Sequence, residues 1–130
     1  MEKEYLNISK LETYLYSVIN KVVSNNTYAG TLPDTTQSSW NDMCLIDLCN
    51  PIEDMNAFGR GSFIIWLYAK PRANGTKNTA TMSKLEEKLN KVLQTASNGN
   101  YQFQIISRYS DYDTNRKWHC NIYIIQVNIF

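Results

Sequence analysis

Few residues in this chain have the chemistry to catalyse a reaction or hold a ligand, and their spacing decides what each is fit for. His119 is the single histidine. It follows Asp111 and Asp113 closely, and a carboxylate beside an imidazole is a common general-base arrangement. No second histidine and no plausible nucleophile accompany it, so enzyme activity is not expected. Asp111-Tyr-Asp113-Thr-Asn115 imitates the opening of a calcium-binding helix-loop-helix loop. Arg116 stands where that loop needs glycine and Ile122 where it needs a bidentate acid, so a hairpin turn is the better account. Gly59-Arg-Gly61 is too short for a phosphate-binding loop and precedes a strand, not a helix.

The 3 cysteines make an odd count, which a reduced, cytosolic protein explains most simply. Cys44 and Cys49 should point to opposite faces of one strand, and no second pair stands at metal-ligand spacing. Buried free thiols are expected, with no metal and no cofactor. The remaining cluster is basic: Lys70, Arg72 and Lys77 surround one strand-to-helix loop. Such a loop is either solvated surface or a local contact for phosphate or an acidic partner. With 13 basic and 12 acidic side chains the net charge is +1, so bulk capture of nucleic acid or of an anionic membrane is not expected.

The elements that must position these residues follow from periodicity. The sequence centres on Ser62–Lys70, where Phe63, Ile65, Leu67 and Ala69 alternate with Ile64, Trp66 and Tyr68. Both faces are apolar, as in a central strand covered on two sides. Residues 7–24 carry a helical stripe of Ile8, Leu11, Leu15, Val18, Ile19 and Val22, capped by Asn7 or Ser9. Tyr14 and Tyr16 flank that stripe, either lying over the sheet margin or meeting a second subunit. Residues 25–42 form a long polar loop in which Tyr28, Leu32 and Trp40 imply packing. Met43–Cys49 is a strand, and Pro51–Gly61 an eleven-residue connection with turn glycines. A second helix runs from about Ala80 to Ser97, its stripe formed by Met82, Leu85, Leu89, Val92, Leu93 and Ala96. Tyr101–Tyr109 alternates with Tyr101, Phe103, Ile105 and Tyr109 inward; Ser110–Lys117 is a charged turn, and Trp118–Phe130 the last strand.

The expected order is therefore αββαββ. Two hairpins build a mainly antiparallel four-stranded sheet with both helices packed on one face, a single α+β domain over residues 1–130. No signal peptide and no membrane span are expected, since Met-Glu-Lys-Glu opens the chain and its apolar runs are short. The chain closes on Val127-Asn-Ile-Phe130, and an apolar terminal strand needs cover from the sheet or from a neighbour. Two helices cannot cover both faces, so surplus apolar surface points to self-association.

This layout resembles the tail-terminator, or tail-completion, proteins of long-tailed phages and prophages. The likeness lies in the N-terminal helix, the segment Tyr28-Ala-Gly-Thr-Leu-Pro33 before the first strand and the strand Phe63–Lys70. It continues through the Gly-containing loop, the helix Ser83–Leu93 and the closing hairpin with Asp111 and Asp113; residues 62–130 carry most of it. The resemblance implies a structural, non-catalytic protein forming a ring, typically of six subunits, on the end of the tail tube. Its partners would be itself, the tail-tube protein and the head-completion proteins, with weak non-specific DNA contact at most. It would reside in the host cytoplasm during assembly and then in the virion tail. On that reading Tyr14, Tyr16, Trp40 and Phe130 are candidate subunit-interface residues, and Lys70, Arg72 and Lys77 candidate lumen or partner contacts. The competing reading is a small α+β binding module, with Trp40, Trp66 and Tyr68 lining a pocket between the sheet and the 25–42 loop.

Overall fold

The computed structural model describes residues 6–130, with backbone alone at 48–50. Helix α1 spans Ile8–Ile19 and is capped by Asn7, whose side chain accepts from the Lys10 N–H at 3.0 Å. It buries Leu11, Leu15 and Ile19 and leaves Ile8 exposed. The helical stripe had implied a longer helix. The chain instead turns at Lys21, where φ is 64°, and Val22 is left 51% exposed.

Strands β1 (Thr27–Ala29), β2 (Asp42–Asp54), β3 (Gly59–Ala69), β4 (Tyr101–Asp113) and β5 (Trp118–Ile129) form one sheet in the order β1-β2-β3-β5-β4. The α+β class stands, but the four-stranded antiparallel sheet does not. A fifth strand, β1, pairs parallel to β2 through Thr27–Cys44, Tyr28–Leu45 and Ala29–Ile46. It comes from the stretch that reads as loop, because three residues are too few for an alternation pattern to show. The other neighbours pair antiparallel.

Three strands run longer than expected, and two of them, β2 and β4, carry bulges. β2 passes through Pro51 with register shifts between Leu48 and Asn50 and between Asn50 and Glu53. Bulges of this kind accommodate a residue without an N–H on the outer side of a sheet. The connection shrinks to 55–58, and Gly59 and Gly61 belong to β3. A Cβ on Gly61 would stand 3.3 Å from the Ile52 side chain, so glycine here permits close packing. In β4 a shift between Ile105 and Ser107 moves every later residue to the other face. Tyr109, expected inward, is 50% exposed as a result.

Both helices lie on one face. Leu11, Leu15 and Ile19 of α1 and Met82, Leu85 and Leu89 of α2 (Thr79–Ala96) pack on Cys44, Phe63, Ile65, Tyr123, Ile125 and Val127. Asn78 caps α2 by accepting from the Thr81 N–H, so the helix begins within a residue of the expected Ala80. On the second face Met43, Tyr68, Trp118, Cys120 and Ile122 form a smaller cluster, over which Leu32, Trp40, Ile64 and Trp66 pack. The surplus apolar surface is thus partly covered by the chain's own residues 31–41.

Candidate assembly surface

Tyr14 points from α1 to the sheet margin, where its ring stacks on Tyr101 at 4.2 Å between centroids with 10° between planes. Its hydroxyl donates to the Ala96 carbonyl at 2.7 Å and accepts from Asn98 Nδ2 at 3.2 Å. Burial, with the neighbouring Tyr101 adding to it, raises the phenol's pKa; the Asn98 contact pulls the other way. Tyr14 therefore joins α1 to the end of α2 and the start of β4. That is the sheet-margin placement, and much of its apolar surface is used within the chain.

Phe130 lies nearby. Its backbone N–H donates to the Asn100 carbonyl at 2.8 Å, its ring sits 5.4 Å from Phe58, and 48% of it is exposed. Tyr14 and Phe130 border one broad concavity of about 960 Å³, whose other walls include Lys10, Thr13, Asn98 and Tyr101. The remaining two interface candidates lie elsewhere: Tyr16 is 37% exposed on α1, and Trp40 packs beside Tyr28 on the second face.

The feature that sequence reasoning missed adjoins this concavity. β4 pairs with β5 on one side, and no described strand pairs with its other side. At its start that other side is capped, since the Tyr101 N–H donates to Asn98 Oδ1, the Tyr101 carbonyl accepts from the Asn98 N–H and the Phe103 N–H donates to Ser97 Oγ. The stretch from Gln104 to Asp113 is still long for an edge strand, which proteins usually shorten, charge or cover. Beside its first half lies a groove of about 400 Å³ between the strand and α2, lined by Asn90, Leu93, Gln94, Ser97, Phe103 and Ile105. Ile106 and Tyr109 stand exposed on or beyond the bulge. The run Tyr101–Ile106 carries no charge, which was the available signal; the edge position of the strand was not legible.

The basic residues sit at the opposite end of the sheet, beyond Ala69. Eleven residues of β3 separate the two ends, about 33 Å at strand rise. Lys70 Nζ donates to the Ser38 carbonyl at 2.9 Å. Lys77 Nζ donates to Asn121 Oδ1 at 2.7 Å and to Ser110 Oγ at 3.1 Å. Arg72 closes its loop through the backbone, donating to the Thr76 carbonyl at 3.0 Å.

The chemically capable residues are mostly absorbed by the fold. His119 lies on the helical face while its register neighbours place Asp111 and Asp113 opposite Cys120 and Trp118, on the other face. The imidazole–carboxylate pair that the spacing allows is therefore not formed. Its Nδ1 is buried without a hydrogen-bond partner, and its ring meets the Tyr112 ring at 4.9 Å. Asp113 instead accepts from the Asn115 and Arg116 N–H groups, as a hairpin turn requires. Cys44 and Cys120 are free and buried. Burial, reinforced by Asp42, raises the Cys44 pKa, and burial with Asp111 and Asp113 pushes Cys120 up to about 11. Both thiols are poor nucleophiles in consequence. The expected buried thiol at Cys49 lies outside the described side chains. Among the described residues no cluster of His, Cys, Asp or Glu is placed to hold a metal ion.

Trp40, Trp66 and Tyr68, the residues of the competing pocket, pack together in the second-face cluster. Residues 31–41 lie down on the sheet, and the concavity of about 440 Å³ at their margin is lined by Gly30, Thr31, Asp34, Asp113 and Arg116 among others. Trp40 and Trp66 are half-buried and Tyr68 is buried.

No protein-family model matches the chain, and no curated protein aligns with it significantly. Among the described residues no helix is long and apolar enough to cross a membrane.

Proposed function

We propose that this chain is a non-catalytic assembly subunit of the tail-terminator kind, forming a ring that ends a tail tube and offers a surface to head-completion proteins. The supporting observation is the β4 edge beyond Phe103, which no described strand pairs, with its flanking groove and the adjoining Tyr14–Phe130 concavity. Added strands supply main-chain hydrogen bonds for affinity, and a groove beside the edge accepts alternate side chains for specificity. Exposed Phe130, Ile106 and Tyr109 extend that surface with apolar area. A ring needs a head-to-tail contact in which two different patches meet, so β4 would face another part of its neighbour. Assembly would take place in the host cytoplasm and end in the virion tail.

The test is the mass of the chain by light scattering, alone and with a phage tail-tube protein, together with Ile106→Lys. A ring-sized species that Ile106→Lys reduces to monomers, with the fold intact, is the expected result. A monomer at high concentration that also fails to bind the tube would overturn the reading.

A further inference from the structure

The cover on the second face of the sheet has an unusual construction. β1 ends at Ala29 and β2 begins at Asp42, and nothing between them is helix or strand. Yet this stretch seals Met43, Tyr68, Trp118, Cys120 and Ile122, each at most 7% exposed. Its ends are fixed to the sheet: the Gly30 N–H donates to the Ile46 carbonyl at 2.8 Å and the Lys70 N–H to the Asn41 carbonyl at 2.9 Å.

Between those ends the hold is slight. Arg116 donates to Thr36 Oγ1 at 2.8 Å and to the Pro33 carbonyl. Lys70 Nζ donates to the Ser38 carbonyl. Leu32 and Trp40 are the apolar anchors, and both are only half-buried. Among the described residues no backbone ladder ties 31–40 to the sheet. Elements with few buried contacts and little backbone pairing open at lower free energy than the whole molecule.

We infer that residues 31–41 are a strap latched by Arg116, which opens as a unit while the sheet and both helices stay folded and so uncovers an apolar face. Arg116 is well placed for that role because one guanidinium reaches two points of the strap, Thr36 and Pro33. Its own position is set by Asp113, which accepts the Arg116 N–H at 3.0 Å and stands 3.7 Å from Nε. Asp113 is the last residue of β4, so the latch is mounted on the end of the bare edge strand. A displacement of that turn would release the strap. The inference does not depend on the tail-terminator reading, because local opening can be measured on the isolated chain.

Two buried thiols report on the two faces. Cys44 packs under the helices and Cys120 under the strap. The experiment is iodoacetamide labelling of the full chain carrying Cys49→Ser, with each thiol's rate read by peptide mass spectrometry. Cys120 should label at least tenfold faster than Cys44. Arg116→Ala should raise the Cys120 rate at least tenfold again and leave the Cys44 rate unchanged. Thr36→Val, which removes one latch bond from the strap side, should raise it by a smaller factor. Equal rates at the two thiols, or an increase shared by both in Arg116→Ala, would show that the strap opens only with global unfolding and would overturn the inference. A Cys120 rate unmoved by both variants would overturn the latch.

Discussion

The helical face of the sheet and the face under the strap bury side chains to similar depth by different means. On the helical face two regular helices deliver aligned stripes, and Leu15, Leu89, Phe63 and Ile65 are fully enclosed. Each helix satisfies its own backbone groups, so it brings apolar area to the sheet without further partners. On the other face an irregular segment does the covering, and its backbone depends on side chains supplied by Arg116 and Lys70. Depth of burial is thus a poor guide to how firmly a face is closed. What differs is the number of independent anchors that must fail before water enters.

The comparison fails most visibly if the helical face is not the main core. Leu89 is fully buried among residues of both helices and β3. Leu89→Ala should cost about 2–5 kcal/mol, the range for enclosed leucines whose cavity cannot collapse. Chemical denaturation checks this, and a loss below about 1 kcal/mol would mean that the helix packs on something softer than the structure indicates.

Alkaline pH should weaken the strap face through two groups. Burial, then Asp111 and Asp113, lifts the Cys120 thiol from its ordinary 9.0 to about 11. Burial, with Cys120 adding to it, lifts the Tyr68 phenol from 10.0 to about 12. A raised folded-state pKa stabilises fully below the unfolded pKa and loses its contribution as pH rises through the folded one. Stability should therefore hold up to about pH 9 and fall between about 9 and 11, then further towards 12. Cys120 alone should account for a loss on the order of 2 kcal/mol. Cys120→Ala should remove that part of the pH dependence in thermal melts; an unchanged profile would contradict the assignment.

Trp40 sharpens the contrast from the strap side. Being a half-buried anchor of an irregular segment, Trp40→Ala should cost about 1–2 kcal/mol, well under the Leu89 value despite the larger side chain. Backbone hydrogen exchange should rise at the strap and stay protected in β3 and β5. A loss as large as that at Leu89 would make the strap part of the cooperative core.

The sequence made some of this visible and hid the rest for identifiable reasons. Both helical stripes and the two-faced apolar pattern of residues 62–70 are legible, because burial imposes a period that composition reveals. The single-residue shift at Ile106 went unread, although the adjacent Ile105 and Ile106 and the polar Ser107 break the alternation where the pairing slips. β1 was hidden by its shortness, and the extension of β2 by Pro51, which reads as a breaker although a bulged strand accepts it. Tyr14 and Phe130 stood out in the sequence as interface candidates, and only the sheet order could put them near the β4 edge. Arg116 read as the residue that spoils a calcium loop, since its contacts with Thr36 and Pro33 cross some eighty positions of the chain.

The smallest predicted effect separates the members of the basic cluster. Replacing Lys70, Arg72 and Lys77 together by serine would be structurally silent if all three were solvated surface. The structure assigns two of them bonds: Lys70 to the strap and Lys77 to the β4–β5 hairpin. Arg72→Ser alone should therefore change stability by no more than about 0.5 kcal/mol, whereas the triple replacement should lose more and loosen the strap. This also limits any role in contacting passing DNA, because an ammonium group held by carbonyl and amide oxygens is less available to a phosphate. If the ring reading is right, Arg72 is the member to test in a head-joining assay, where its loss can be read without a folding defect. A stability loss in Arg72→Ser equal to that of the triple variant would show that the loop, and not the two lysine contacts, holds this end of the sheet together.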